Sequence, residues 1–578
     1  MADNYHDYSK DQLVRLLRER DRRPNFGLVW ERDEIDHDLS VNNDFVALDL
    51  DSELSCGEEP FDNLIIEGDN FDALRALRMT HAGRVKCIYI DPPYNTGNRD
   101  FIYNDSFIDK EDNYRHSKWL EFMFRRLELA KELLTHDGVI FVSIDDNEMF
   151  HLGVLMEQVF GLSNRVGVMV WNNVTDNNPT RIAVEHEYIV CYSLNIDSCA
   201  TPWKSADHDI KDQMLELEAN LLRKGGTTDQ LQKAYSAWFK EHKSELPPLD
   251  NYKYFDLGGI YAGSRSVHNP GKEGYRYDVM HPRTGMPCKQ PLMGYRFPEN
   301  TMSGLLKEKR IIFGDDHTKL IELKIYLRDY RRKLSSVVTL DGRAGVNELK
   351  EIFSDESKVF NNPKPIGLIQ ELLSFVTIPG DIILDFFAGS GTTAQAVLNL
   401  NKEDGGNRHF ILVSSTEATA HAPDKNLCRD VCAERVRRVA SGYTTKKGET
   451  MAALGGGFAY LRCRRIPAEI VFRGIQHTQI WTALQMIHEV ALLPYQAQLP
   501  MQTAQGKRTT VIYMPKISEA LLKTLQAEIH GAGQAVVYSW QPALLAQRLT
   551  DPRLAFEPIP AFLVNRFAAR TSAKGGRP

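Results

Sequence analysis

The sequence predicts an α/β protein whose parallel sheet is interrupted by an inserted domain. Three observations carry this. Strand-like and helix-like segments alternate from about residue 61 to 195 and again from about 360, the stretch between breaks the pattern, and two predicted strands end in sharply punctuated turns. At 578 residues the chain exceeds one ordinary core, so roughly two to four domains are expected.

Residues 1–60 form an N-terminal extension with one predicted helix, SKDQLVRLLRERD, and then an acidic, weakly patterned stretch. The first part of the core, 61–195, opens with Leu64-Ile65-Ile66 running into Glu67-Gly68-Asp69-Asn70 and a helix from Phe71 to Met79. A strand ending at Asp91 follows, then a helix around Trp119 to Leu134 with Leu120, Met123, Phe124 and Leu127 at helical spacing, then the strand Val139 to Ile144. Residues 196–355 read as the insert: a polar helical stretch, a run rich in Gly, Pro and Tyr, and the basic cluster Arg331-Arg332-Lys333. The second part of the core, 356–450, carries the strand Ile382 to Asp385, a glycine turn, the helix Thr392 to Leu400 and the strand His409 to Val413. Residues 451–578 look like a small separate α/β unit with a disordered tail, RTSAKGGRP.

Composition narrows the classes. With 42% hydrophobic and 25% charged residues, no apolar run near the roughly 18 residues of a membrane span and a polar start, MADNYHDYSK, a soluble cytoplasmic protein is expected. The eight cysteines are scattered, and Cys428 and Cys432 lack a second Cys/His pair, so neither a metal site nor a disulfide is expected. The net charge of −7 excludes a wholly basic nucleic-acid coat. Charge is nevertheless local: residues 251–340 hold 16 Lys/Arg against 9 Asp/Glu, interleaved with Tyr252, Tyr254, Tyr261, Tyr275 and Tyr277. That mixture suits phosphate and base contacts, and it equally suits a solvated face.

Two motifs carry the chemistry. In CIYIDPPYNTGNRDF a core strand ends at Asp91-Pro92-Pro93-Tyr94; the prolines fix φ and remove donors, leaving a stiff turn that presents a carboxylate, carbonyl oxygens and an aromatic face. In open α/β sheets that end of a strand is where ligands sit. In DIILDFFAGSGTT, residues 381–393, a strand ends at an acid and turns through Gly389 and Gly391 into a helix start. The spacing matches neither a dinucleotide fingerprint nor a P-loop, so a ligand with ribose, adenine and carboxylate but no phosphate would fit. Alone, this turn is equally explained as a tight connection with small residues for packing.

Together the motifs resemble those of the DNA amino-methyltransferases, with DPPY first and the glycine turn last as in the β class. The strings IIEGDNFDALRAL, IDPPYNTGNRDFIYND, GVIFVSIDDNE, EHEYIVCYS and NNPKPIGLIQELL look like the modification subunits of type III restriction-modification systems. The resemblance implies a Rossmann-like S-adenosylmethionine-dependent methyltransferase sheet with permuted motif order, an inserted target-recognition domain and a C-terminal interaction domain. It implies that Asp91, Pro92, Pro93 and Tyr94 hold an adenine flipped out of double-stranded DNA. Its cofactor positions fall on Asp385, Phe386, Ala388, Gly389, Gly391 and Thr392, on Asp69 with Asn70, and on Asn362, Lys364 and Pro365. Glu417 is the candidate for the ribose hydroxyls, although FILVSSTEAT departs from the family pattern. Asp69 also fits a helix N-cap.

The reading is a site-specific adenine-N6 DNA methyltransferase, the modification subunit of a type III system, acting as a homodimer beside a separate restriction subunit. The alternative is a standalone or phage-defence enzyme of the same chemistry, with RNA or cytosine N4 as rival substrates and a specificity subunit without chemistry as the rival class. Arg331, Arg332 and Lys333 are the candidate DNA contacts; His116 and His186 receive no catalytic role.

Overall fold

Apart from the half-buried Lys86, Val85–Ile90 is made of buried residues on both faces, the pattern of a strand covered on two sides. It lies near the middle of a ten-stranded sheet in this computed structural model, which describes residues 9–10, 30, 42–103, 106–109, 111–174, 182–201, 203–205, 209–243, 246, 249–269, 272–330, 332–354, 359–418, 424–507, 509–529 and 534–568. The predicted N-terminal helix after Lys10 and the tail RTSAKGGRP fall outside the described residues. The chain forms two compact units, Met1–Thr201 with Ser335–Pro578, and Pro202–Leu334.

The first unit runs β1 (Phe45–Cys56), β2 (Leu64–Glu67), α1 (Asn70–His81), β3 (Val85–Ile90), α2 (Arg115–Leu133), β4 (Leu134–Ile144), α3 (Met149–Phe160), β5 (Arg165–Asn172) and β6 (His186–Ser193). It resumes with β7 (Val337–Thr339), α4 (Ile366–Val376), β8 (Ile382–Asp385), α5 (Thr392–Asp404), β9 (His409–Ser414) and β10 (Phe458–Ile466). The strand order is β1-β10-β2-β9-β8-β3-β4-β6-β5-β7. The central pairings from β10 through β4 are parallel. β6 runs antiparallel to both β4 and β5. The sheet is thus mixed rather than wholly parallel: the segment between β5 and β6 contains Pro179 and no helical apolar spacing, so these strands pair as opposed neighbours. β1 and β10 form an antiparallel edge pair that the weak patterning of residues 1–60 did not announce.

Helices fix the order. α2 buries Trp119, Leu120, Met123, Leu127 and Ala130 along one stripe and passes straight into β4 at Leu134. It carries the chain from β3 to β4 in one direction along the sheet, whereas α5 carries it from β8 to β9 in the other. Connections therefore diverge between β8 and β3, the topological switch point at which the carboxyl ends of the strands open a crevice.

The last segment has a four-stranded sheet, Gln502–Gln505, Thr510–Met514, Ala535–Ser539 and Leu554–Pro558, with a small core of its own around Ile512, Leu525, Val537 and Leu545. It is still fastened to the main sheet. Trp481, Tyr513, Tyr538 and Phe567 join the core that contains Phe45 and Leu48, and Arg78 Nη2 donates to the Phe567 carbonyl at 2.9 Å.

The second unit, Pro202–Leu334, packs the helices Asp209–Lys224 and Thr228–Glu241 beside a four-stranded antiparallel sheet around Tyr235, Phe255 and Ile260. Thr227 and Gln230 form a capping box at the second helix. The run rich in Gly, Pro and Tyr folds around Tyr295, which is bridged to Tyr275 and stacked on Tyr277 at 4.9 Å between centroids. Gly274 is required there, because a Cβ would lie 2.4 Å from the Tyr295 carbonyl oxygen. Residues 335–355, grouped with the insert by sequence, belong to the sheet unit: Val337–Thr339 is a strand of three residues, too short for its alternation to be read.

Because Trp481 belongs to the shared core at 2% exposure, Trp481→Ala is expected to cost about 3–5 kcal/mol and to lower the melting temperature of the sheet unit as a whole. Thermal unfolding followed by far-UV circular dichroism checks this; a separate early transition confined to the last segment would contradict it.

Candidate active site

β3 leaves the sheet at Asp91, and the turn that follows is held from several sides. The Trp119 indole N–H donates to the Pro93 carbonyl at 2.7 Å. Asn95, fully buried with a φ of 56°, donates through Nδ2 to Glu148 Oε1 at 2.5 Å and to the Arg115 carbonyl at 3.2 Å. Glu148 is itself fully buried, with His116 Nδ1 2.6 Å from Oε1 and His151 Nδ1 2.8 Å from Oε2. The hydrogen bond to Glu148 raises the His151 pKa, and burial opposes it only in part. These side chains place three ligand-type atoms within 4.8 Å of one another, a spacing that a metal would also need; the contacts made to Glu148 brace the turn through Asn95.

The turn's functional groups meet Lys364. Its Nζ donates to Asp91 Oδ2 at 2.9 Å and to Tyr94 Oη at 2.8 Å, and lies 3.3 Å from Glu187 Oε2. Tyr94 has one hydroxyl proton facing two acceptors, Asp91 Oδ1 at 2.8 Å and Glu187 Oε2 at 2.7 Å, so it serves one at a time. Asn173 Nδ2 donates to Glu187 Oε1 at 3.3 Å. Burial raises the Asp91 carboxyl, with Lys364 pulling against it and Glu187 adding to it. For Lys364 burial acts against the charge, yet the Asp91 and Glu187 carboxylates outweigh it and raise its pKa. Burial, then the Asp91 charge, pushes the Tyr94 phenol well up.

On the neighbouring strand, β8 ends at Asp385, whose Oδ1 accepts from the Phe387 N–H at 3.0 Å and Oδ2 from Thr393 Oγ1 at 2.6 Å. This carboxyl fastens the glycine turn to the first turn of α5. Phe386 and Ala388 are buried, and the Ala388 N–H donates to the Val413 carbonyl of β9. Gly389 and Gly391 have φ of 51° and 81°, which side-chain-bearing residues rarely adopt. Thr392 Oγ1 accepts from the fully buried Arg435 at 2.6 Å. Asp69 caps α1, accepting from the Phe71 and Asp72 N–H groups, and its Oδ2 lies 3.3 Å from Arg126 Nη2. Asn70 ties the two loops together: it donates to the Phe386 carbonyl at 3.0 Å and accepts from Arg126 Nε at 2.5 Å.

The structure therefore gathers Asp91, Pro92, Pro93, Tyr94 and Lys364 at one strand end, and Asp69, Asn70, Asp385, Phe386, Ala388, Gly389, Gly391 and Thr392 around the next. Pro365 is buried as the N-cap of α4, whereas Asn362 is exposed at a φ of 50°. Glu417, also at a φ of 50°, pairs with Lys425 at 2.6 Å. Arg331 lies outside the described residues; Arg332 and Lys333 form a short strand of the second unit, with Lys333 exposed. Sequence reasoning missed Glu187, although it stands inside the quoted EHEYIVCYS, and missed Arg126, Glu148 and Arg435, whose burial no local pattern signals.

Burial raises the Asp385 carboxyl to about 7, with Thr393 and Phe387 pulling it down and Asp91 adding to the rise. The folded state thus keeps a proton that an unfolded aspartate releases near pH 4, and the stability tied to it falls as pH rises from about 4 to 7. Asp385→Asn does not titrate. The melting-temperature difference, variant minus wild type, is expected to climb across that window by the equivalent of roughly 4 kcal/mol at most and then level off; a difference independent of pH would contradict the assignment.

Comparison with known proteins agrees with this geometry. Residues 85–421 match the family model described as DNA methylase. The chain is 48% identical over 406 residues to the type III restriction-modification enzyme EcoP15I Mod subunit of Escherichia coli, covering 65% of this chain and 63% of that protein. It is 30% identical over 427 residues to the StyLTI Mod subunit of Salmonella typhimurium, covering 68% and 59%, and 28% identical over 372 residues to the type II methyltransferase M.KpnI of Klebsiella pneumoniae, covering 60% and 79%. The matches span about three fifths of the length of the two Mod subunits. With more than half of the chain matched by the family model and both motif loops at one switch point, the chain belongs to the DNA methylase family.

Proposed function

We propose that this protein methylates N6 of an adenine flipped out of double-stranded DNA, using S-adenosylmethionine, as the modification subunit of a type III restriction-modification system. The observation that carries the reading is the meeting of the Asp91 turn and the Asp385 glycine turn on adjacent parallel strands, one suited to an amine and the other to its methyl donor.

The residues of the glycine turn fit S-adenosylmethionine. Positive φ at Gly389 and Gly391 opens the backbone at the start of α5, the half-buried Phe387 supplies aromatic surface, Asp69 offers a partly exposed carboxylate, and the turn itself holds no basic side chain of the kind a phosphate needs. Lys364, by contrast, supports the base side of the pocket through Asp91 and Tyr94. Bound S-adenosylmethionine supplies a methyl group on a sulfonium sulfur, an electrophile that needs alignment more than activation. Alignment is what the turn provides. Asp91 and the Pro92 carbonyl accept the two amine hydrogens, which turns the nitrogen lone pair toward the methyl group, and the Tyr94 ring offers a face to the unstacked base. Positive charge then develops on the amine nitrogen beside two carboxylates and one ammonium, a cluster with a net negative charge to stabilise it. Asp91, whose proton affinity burial raises, is positioned to take the proton that nitrogen sheds.

In this reading the second unit and the basic cluster Arg331, Arg332 and Lys333 read the target and hold phosphates, the last segment supports a homodimer or docking of a separate restriction subunit, and the protein works in the cytoplasm. A standalone enzyme of the same chemistry is the second reading, favoured by the similarity to the type II methyltransferase M.KpnI.

The test is transfer of tritiated methyl from S-adenosylmethionine to polymerase-amplified bacterial genomic DNA, which carries no prior methylation. Wild type is expected to transfer, and Asp91→Ala to lose at least about a thousandfold in rate, roughly 4 kcal/mol of transition-state stabilisation, while binding the donor within about threefold of wild type. Undiminished transfer by the variant would refute the active-site assignment.

A further inference from the structure

The Lys364 ammonium occupies one of the two Asp91 oxygens that the methyl-transfer reading offers to an amine. Its three N–H groups are matched by three acceptors: Asp91 Oδ2 at 2.9 Å, Tyr94 Oη at 2.8 Å and Glu187 Oε2 at 3.3 Å. The side chain is 9% exposed, so bulk water has little access to those protons. Asp91 is the acceptor that the methyl-transfer reading assigns to the target amine. A carboxylate engaged by a charged lysine is a weaker acceptor for a neutral amine, because charge-assisted hydrogen bonds are about twice as strong as neutral ones and the lysine draws on the same charge. A neutral amine would lose that competition if the lysine had nowhere else to go, since a buried ammonium stripped of its carboxylate is strongly destabilised.

Glu187 removes the obstacle. It comes from β6, on the far side of β4 from β3, and its Oε2 already touches both Lys364 and Tyr94. Its other oxygen accepts from Asn173, which fixes the carboxylate in place. Lys364 can therefore shift its charge from Asp91 to Glu187 by a small rotation, without leaving the buried cluster or losing a carboxylate partner.

We propose that Lys364 fills the amine subsite of the base-free enzyme and that Glu187 is the positioning residue that takes Lys364 over when the target base enters, freeing Asp91. The pocket then never presents a bare carboxylate, and a base gains Asp91 only by completing the exchange. This rests on the methyl-transfer reading, and the experiment separates the two.

The measurement uses the full-length protein with tritiated S-adenosylmethionine and polymerase-amplified genomic DNA, comparing wild type, Glu187→Gln, Glu187→Asp, Lys364→Met and the double variant Lys364→Met/Glu187→Gln. Donor affinity by equilibrium dialysis and melting temperature are recorded for each. Glu187→Gln keeps the shape but removes the receiving charge, which locks Lys364 on Asp91; kcat at saturating DNA is expected to fall at least tenfold, with donor affinity unchanged within twofold. Glu187→Asp should recover part of the loss. The double variant should be several-fold faster than Glu187→Gln, because a subsite without its occupant needs no receiver. The proposal is overturned if Glu187→Gln matches wild type, if the double variant is as slow as or slower than Glu187→Gln, or if Lys364→Met loses donor binding, which would put the lysine on the cofactor side. A fold defect is recognised by a lowered melting temperature, and Glu187→Asp then carries the comparison with wild type. Absence of transfer by wild type would instead contradict the methyl-transfer reading itself.

Discussion

The pairing of β8 with β3 is the constraint on which the rest depends. Ile383 and Leu384 lie beside Cys87 and Ile88 in parallel register, so both strands deliver their carboxyl ends to the same edge of the sheet. Each then turns away, one through a glycine turn into α5 and the other through a proline turn that leads on to α2. This register brings a donor-type loop and an amine-type loop together although their sequence positions are about 290 residues apart.

The site that results is governed by charge more than its proline turn suggests. A proline turn suggests a rigid shelf for a flat ligand, and the Trp119 and Asn95 contacts do make it rigid. Its charge state, however, is set by groups from three other places in the chain: Lys364 before α4, Glu187 on β6 and Asp385 on β8. Burial raises the proton affinity of Asp91 and Asp385 alike, while the lysine pulls Asp91 back. The two acids at the switch point are therefore not equivalent. Asp91 is paired with Lys364, and Asp385 is spent on the shape of its own turn through Phe387 and Thr393.

Much of this was legible in the sequence. The alternation of elements, the DPPY turn and the glycine turn name themselves, because prolines and glycines leave local signatures at the strand ends where ligands bind. What stayed hidden depends on tertiary contact. β1 lies in an acidic stretch of ordinary composition and becomes a strand only because β10 offers it an edge. β7 is three residues long, and β6 runs against its neighbours for reasons of connection rather than composition. Lys364 falls in the cofactor segment by the resemblance of NNPKP; in space its ammonium meets Asp91. Asp69 was legible in two ways, and capping α1 is the role its hydrogen bonds display.

The central claim is that Asp91 and its neighbours present an adenine amine, rather than some other nucleophile, to a methyl donor. Single-molecule sequencing with modified-base detection, on genomic DNA from cells expressing this one chain, tests it most directly. N6-methyladenine confined to one short sequence is the predicted result. N4-methylcytosine at such a sequence, or methyl groups found in RNA and not in DNA, would contradict it.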